Sequence, residues 1–291
     1  MSTDKPKPVF LSAARKREIA ELAEAVAQEY CPDGRIEPER IAQAKSITLS
    51  FGCYGDAFDG MLEHLACRFH IYCNLERVGQ RNSPRARFTL GHELGHFYID
   101  EHRNALSAGR APAHPSRCEF ESKNPVEQEA DLFSSCLLMP AARFLKQGKR
   151  ASVGLPGILE LAGQFGTSVT STAIRYATLG LKPCVVIKWS DSKYAWKWLS
   201  SDALEGRFRK TFESAAAIPQ GSATARALAG ETPPAAGFFQ TGSTAAAWFP
   251  HISHGAFRNV ILIEQAIQLG RFGVLTFLYP EAGSFPEWRD D

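Results

Sequence analysis

Hydrophobic and polar positions along the first hundred residues change period several times. From Ser12 to about Tyr30, Ile19, Leu22, Ala23, Val26 and Ala27 recur at helical spacing, and Cys31-Pro32-Asp33-Gly34 ends the pattern with turn chemistry. A short helix follows around Glu37–Ala44. Ile47-Thr48-Leu49-Ser50-Phe51 then alternates as a half-buried strand does. Met61–Leu65 and Phe69–Asn74 read as two more short strands with a tight connection, which predicts a small, mostly antiparallel sheet. The period then returns to helical. Phe88, Leu90, Leu94, Phe97 and Tyr98 cover much of the circumference of a helix from about Ala86 to His102, as a buried central helix requires.

Residues 103–124 show no period and contain Gly109, Pro112 and Pro115, so a long loop is expected there. Asn124 is placed to cap a helix whose first residue is Pro125, and that helix runs to about Leu138 before Met139-Pro140 stops it. Leu155–Phe165 and Ser171–Leu179 form a helix pair around Gly166-Thr167-Ser168. This resembles a helix-turn-helix, but its surface is not strongly basic, and a plain helical hairpin is the better expectation. Past Pro183 the pattern turns to strands: 184–189 and 194–198 as a hairpin around Asp191-Ser192, then 258–264 and 273–278. Residues 218–247, rich in Ala, Gly, Ser, Thr and Pro, read as a flexible connection. Trp189, Trp196, Trp198 and Trp248 are candidates for a ligand pocket, although such residues more often fill a core. The chain is thus expected to be α+β. Its expected parts are residues 10–148, a helical segment 149–182, and a C-terminal α+β domain 183–291.

Composition narrows the function classes. Across 291 residues the net charge is +2, which argues against a basic architectural protein. Seven scattered cysteines without a CxxC pair suggest free thiols in a reducing compartment. The first residues lack the apolar run of a signal peptide, residues 1–9 are expected to fray, and no long apolar run predicts a spanning helix. A cytoplasmic protein is expected.

The chemistry concentrates in His92-Glu93-Leu94-Gly95-His96. Two histidines four residues apart share one helical face, so both imidazoles can converge on one zinc ion. Glu93, rotated about 100° from His92, can act as general base on a zinc-polarised water. A catalytic site needs a third protein ligand. His102 stands where a metzincin's last histidine would. That geometry requires a chain break, whereas the position of the usual glycine holds Ile99. On a continuous helix, His102 would turn about 240° away and act only as a C-terminal residue facing the helix dipole. The better source is the next helix. Glu127 and Asp131 share a face at i,i+4, so Glu127 is the expected ligand and Asp131 the acceptor for the outer N–H of a zinc histidine, with His92 expected. Glu129 is the second choice.

The run Arg87-Phe88-Thr89-Leu90-Gly91-His92-Glu93-Leu94-Gly95-His96 and the helix Glu127-Gln128-Glu129-Ala130-Asp131-Leu132-Phe133, ending in Leu137-Leu138-Met139-Pro140, resemble the ImmA/IrrE family of metallopeptidases. The resemblance spans roughly residues 15–180. Gly91 replaces a usual alanine, and Ser134-Ser135 replace usual small alanines. The resemblance implies a zincin-like (gluzincin-like) core, ligands His92, His96 and Glu127, and Glu93 as catalytic base. It also implies a C-terminal sensor of the GAF-like kind that some IrrE-type proteins carry, and a substrate that is a helix-turn-helix transcriptional repressor inside bacteria. The competing readings are a non-catalytic zinc-containing regulator and a peptidase of broad specificity. Tyr72, His70 and His114 are open candidates for an oxyanion donor, and residues 70–74 for a strand edge that receives extended substrate.

Overall fold

A computed structural model describes residues 11–109, 113–117, 122, 124–190, 193–200, 216–251 and 255–285. The fold is α+β, and the chain divides into two compact units, residues 1–144 with 163–168 and residues 145–162 with 169–291. The expected fraying of residues 1–9 and the turn at Asp191-Ser192 fall outside the described residues, as do parts of the segment 110–123.

In the first unit, helix α1 (Ala13–Tyr30) is capped by Ser12 and buries Ile19, Ala23, Val26 and Ala27. Helix α2 (Pro38–Ala44) leads into strand β1 (Thr48–Gly52). Strands β2 (Gly60–Leu65) and β3 (Arg68–Asn74) form the expected hairpin. Its two-residue turn holds Ala66 and Cys67 at φ 50° and 60°. A two-residue hairpin favours that left-handed conformation even though it carries side chains here. Strand β4 (His114–Ser116), inside the segment read as a loop, pairs antiparallel with β2. The sheet order is β1-β3-β2-β4, with β1 parallel to β3 and the other pairs antiparallel. Strand β3 therefore has a neighbour on each side. Its ladder groups are taken, which corrects the expectation that substrate adds alongside residues 70–74; the sheet's edges are β1 and β4.

After the short helix α3 (Leu75–Val78), helix α4 (Pro84–Tyr98) begins two residues before the expected start. The Ser83 hydroxyl accepts from the Ala86 amide, and Pro84 is the first helical residue, where its missing N–H costs nothing. The helix also stops earlier than expected. Ile99 is extended (φ −76°, ψ 112°), and a separate helix α5 (Asp100–Ser107) starts immediately after it, with Asp100 and Glu101 in its first turn. Those two acids favour a new helix N-terminus at this point. Helix α6 (Pro125–Leu138) has the expected cap, Asn124 accepting from the Val126 amide at 3.1 Å.

One core joins these elements: Leu62, Ile71 and Cys73 of the sheet meet Phe88, Leu90 and Leu94 of α4, and Phe133, Cys136 and Leu137 of α6. Arg87 pins the start of α4, with Nε donating to the Gly166 carbonyl at 3.1 Å, one terminal nitrogen to Glu37 at 2.9 Å, and the other to the Ile36 carbonyl. Asp59 anchors the other side. Fully buried, it accepts from Arg77 on α3 and Arg85 on α4, each at 2.7 Å.

The second unit is built on a five-stranded antiparallel sheet of order β6-β5-β9-β8-β7. Its strands are β5 (Val185–Ser190), β6 (Lys193–Leu199), β7 (Phe239–Thr244), β8 (Ile261–Gln268) and β9 (Val274–Pro280). Preceding it, helices α7 (Ala141–Gly148), α8 (Leu155–Phe165) and α9 (Val169–Thr178) include the predicted helix pair. Residues 171–177 of α9 are all buried, so the element that would enter a DNA groove has little free surface.

The flexible connection expected at 218–247 is instead ordered. It holds helix α10 (Ala223–Leu228), strand β7 and helix α11 (Ala245–Trp248). The alanines read as low-complexity are what let α10 lie close on the sheet: Ala223 and Ala227 are buried in its core. The Thr224 amide donates to buried Glu264 at 2.6 Å. Gly255–Arg258 is a short helix, α12, so the strand expected from Arg258 starts at Ile261. Trp189 and Trp248 are core residues with ring centroids 6.3 Å apart, whereas Trp198 is exposed. These three therefore do not share a pocket.

Burial opposes the charge of Asp59, but Arg85 and Arg77 outweigh it and hold its carboxyl below the usual carboxylate range. A depressed folded-state value means that this pair stabilises the fold above about pH 4 and loses its contribution as pH falls through the folded value. Asp59→Asn is expected to lower stability at pH 7 by about 2 kcal/mol, discounted for the partly open arginines. The gap from the parent should hold down to about pH 4 in urea unfolding and then narrow as pH falls further, through the depressed folded value. A gap independent of pH would contradict this assignment.

Candidate metal centre

Helical periodicity places His92 and His96 one turn apart on α4, and both are buried. Their Nε2 atoms lie 3.1 Å from each other. Glu127 completes the group, with Oε2 3.3 Å from His92 Nε2 and Oε1 3.5 Å from His96 Nε2. These three side chains offer ligand atoms all within 4.8 Å of one another and could hold a metal ion. Asp131, one turn after Glu127, stands behind His92, its Oδ1 2.8 Å from His92 Nδ1.

The cluster depends on how closely α6 approaches α4. Gly95 faces Ala130, whose Cα would lie 3.1 Å from any Cβ added at Gly95. One turn earlier, Gly91 faces Ser134, whose hydroxyl donates to the Phe88 carbonyl at 2.8 Å. The pairs 91–134 and 95–130 run in opposite directions, so the two helices cross antiparallel there. The same register sets Asp131 behind His92 and brings Glu127 to both histidines.

Charge in this group is divided unequally. Burial works against protonation of His92, but hydrogen bonds to Asp131 and Glu127 outweigh it and raise its pKa. Burial dominates at His96 and lowers its pKa, despite a hydrogen bond to Glu127. Asp131 is pushed up by burial, against the pull of His92. Glu93, fully buried beside His92 on α4, adds a third carboxyl group to the two that α6 supplies. Its room is made by strand β2: a Cβ at Gly60 would come within 2.7 Å of Glu93 Oε1 and 2.4 Å of Thr89.

Other expected residues fall elsewhere. Glu129, the second choice as ligand, points to Arg15 and His102 rather than to the Nε2 cluster. His102 does not turn away as a continuous helix would make it. The break at Ile99 redirects α5, and His102 Nδ1 sits 3.2 Å from His96 Nδ1. Tyr72 and His70 bond to Glu63 and Thr48, and they alternate with Ile71 and Cys73, which enter the core against α4. Neither faces the cluster. The side chain of His114 is outside the described residues. The link from Arg15 was missed from sequence, since nothing in an amphipathic pattern distinguishes a surface arginine from one reaching a site.

Residues 79–176 match the family model of Peptidase M78, described as the IrrE N-terminal-like domain. This segment is similar to the IrrE N-terminal-like domain. No curated protein matches the sequence. Among solved structures, one described as a Mycobacterium tuberculosis transcriptional regulator is similar, with a TM-score of 0.60 and 12% identity over 92% of this chain and 79% of its own. At that identity the likeness concerns the fold.

Within residues 79–176, two of the departures from the family pattern, Gly91 and Ser134, face each other. An alanine at position 91 would bring its Cβ to 2.5 Å from Ser134 Oγ, so the extra oxygen at 134 and the missing methyl at 91 compensate. Gly91→Ala alone is expected to be destabilising, since overpacking of about 1–3 kcal/mol outweighs a helix-propensity gain of about 1 kcal/mol. In a Ser134→Ala background the same change should be neutral or stabilising. A double-mutant cycle by chemical denaturation reads this coupling, and additive effects would show that the two positions are independent.

Proposed function

We propose that the first unit is a zinc-dependent endopeptidase that hydrolyses a peptide bond in a partner protein, and that the partner is a bacterial transcriptional repressor. The observation carrying the zinc reading is the spacing of His92 Nε2, His96 Nε2 and the Glu127 carboxylate at 3.1, 3.3 and 3.5 Å. Tetrahedral ligands at 2.0–2.1 Å from zinc stand about 3.3–3.4 Å apart, so the donor set fits without rearrangement. Three carboxyl groups around two imidazoles also leave a negative charge that a divalent cation offsets.

Zinc bound there supplies a Lewis acid that acidifies water and polarises the scissile carbonyl. The chain's own residues do the rest. Glu93 takes the proton of the attacking water as its oxygen bonds to the carbonyl carbon, then delivers that proton to the amine nitrogen as the C–N bond breaks. Asp131 accepts from His92 Nδ1–H, which keeps the Nε2 lone pair turned inward. Gly60 leaves the Glu93 carboxylate its space.

The repressor substrate rests on the ImmA/IrrE resemblance of residues 87–96 and 127–140. Such a substrate assigns the reaction to the cytoplasm, and no described helix is long and apolar enough to cross a membrane.

Glu93→Gln is expected to retain one equivalent of zinc by metal analysis and to cleave a candidate repressor about 10²–10⁴-fold more slowly. His96→Ala should lose the zinc. Undiminished cleavage by Glu93→Gln would reject the role given to Glu93. Zinc binding by the parent without cleavage of any repressor or unfolded protein would favour a non-catalytic regulator.

A further inference from the structure

Behind His96 runs a line of hydrogen-bonding groups that the hydrolytic scheme does not use. His102 Nδ1 stands 3.2 Å from His96 Nδ1, and His102 Nε2 stands 3.1 Å from Glu129 Oε2. Arg15 closes the line, its Nε donating to Glu129 Oε1 at 2.9 Å and its Nη2 to Oε2 at 2.8 Å. The inner members are shielded, with side-chain exposures of 6% for His102 and 12% for Glu129.

Donor and acceptor roles along this line can be assigned from its outer end. Glu129, whose two oxygens both accept from Arg15, is an acceptor only, so His102 must present an N–H from Nε2. A neutral His102 then has its lone pair on Nδ1, which faces His96 Nδ1. His96 must in turn carry its proton on Nδ1, leaving Nε2 as the lone pair that points at His92 and Glu127. The reverse assignment puts a lone pair of His102 against the carboxylate and a proton on His96 Nε2, where a metal would have to bind. Glu129 thus selects, through His102, the tautomer of His96 that can act as a ligand.

We propose that His102 is a positioning residue of the metal centre, holding His96 with Nε2 turned inward, and that Glu129 and Arg15 hold His102 in turn. The proposal rests on the zinc reading given above. It gives the two histidines different supports: a direct carboxylate for His92, and an imidazole backed by a carboxylate for His96. It also makes helix α1, which supplies Arg15, part of the centre's framework.

The test is zinc affinity of the full-length protein, measured by competition with a chromophoric chelator, together with the visible spectrum of the cobalt(II)-substituted form. His102→Phe keeps an aromatic ring and removes both hydrogen bonds. It should weaken zinc binding about 10–100-fold and shift the cobalt bands, while metal-free thermal unfolding stays near that of the parent. His102→Asn, whose Oδ1 can accept near the position of Nδ1, should recover most of the affinity. Glu129→Gln is the second probe, expected to weaken binding several-fold even if His102→Phe does not fold. Parent-like affinity and spectrum in His102→Phe or, where that variant does not fold, in Glu129→Gln would overturn the proposal while leaving the zinc reading intact. Failure of the parent to bind zinc, or full binding by His92→Phe, would overturn the zinc reading and this proposal together.

Discussion

The close antiparallel crossing of α4 and α6 is the constraint on which the rest of the centre depends. Packed helices usually keep their axes 8–10 Å apart, with side chains filling the space. Here Gly91 and Gly95 remove two side chains in succession from one face of α4, and the backbone of α6 enters the space they leave. That approach lets short carboxylate side chains reach the imidazoles. It also fixes the register: with 95 against 130 and 91 against 134, Asp131 falls behind His92, and Glu127, one turn earlier on α6, reaches the Nε2 atoms of both histidines. The sheet supplies the opposite wall, where Gly60 allows β2 to pass beside Glu93.

Much of this was legible in the sequence because it depends on local geometry. The i,i+4 spacing of His92 and His96, the i,i+4 spacing of Glu127 and Asp131, and the Asn124-Pro125 start of α6 each rest on the invariant period of the helix. The position of His102 was not legible, and the reason is specific. Its orientation was extrapolated through six residues at about 100° each, which holds only while the helix is unbroken. One extended residue, Ile99, invalidates the sum. The sign of the break, Asp100-Glu101 opening a new first turn, is readable afterwards but weak beforehand, because acids are common on any exposed helical face. Arg15 and Glu129, separated by 114 positions, had no shared local signal at all.

The expectation for residues 218–247 failed for a different reason. Residues 218–247 were judged by composition, which averages over positions, whereas structure responds to their order. Ser222 caps α10, accepting from the Ala225 amide, and Gly230 at φ 74° follows the helix end. Between them the alanines at 223 and 227 form a narrow buried face one turn apart. A helix this short has little stability of its own and forms because the sheet receives that face. Buried Glu264, bonded to the Thr224 amide and the Thr241 hydroxyl, ties the helix to β8 and β7 through contacts that no local window contains.

Unequal support of the two histidines follows from the same geometry. The residue one turn before Asp131 on the face toward α4 is Glu127, whose carboxylate turns to the Nε2 atoms, so α6 has no acid left to stand behind His96. Glu129, two positions on, points about 200° around the helix from Glu127. It cannot reach His96 directly, and a ring the size of imidazole spans the gap. His102 can occupy that gap only because α4 ends at Tyr98 and the chain folds back. The early helix end, which defeats the angular reading of the sequence, is therefore also what brings a third histidine to the centre, as a support for His96 rather than as a ligand.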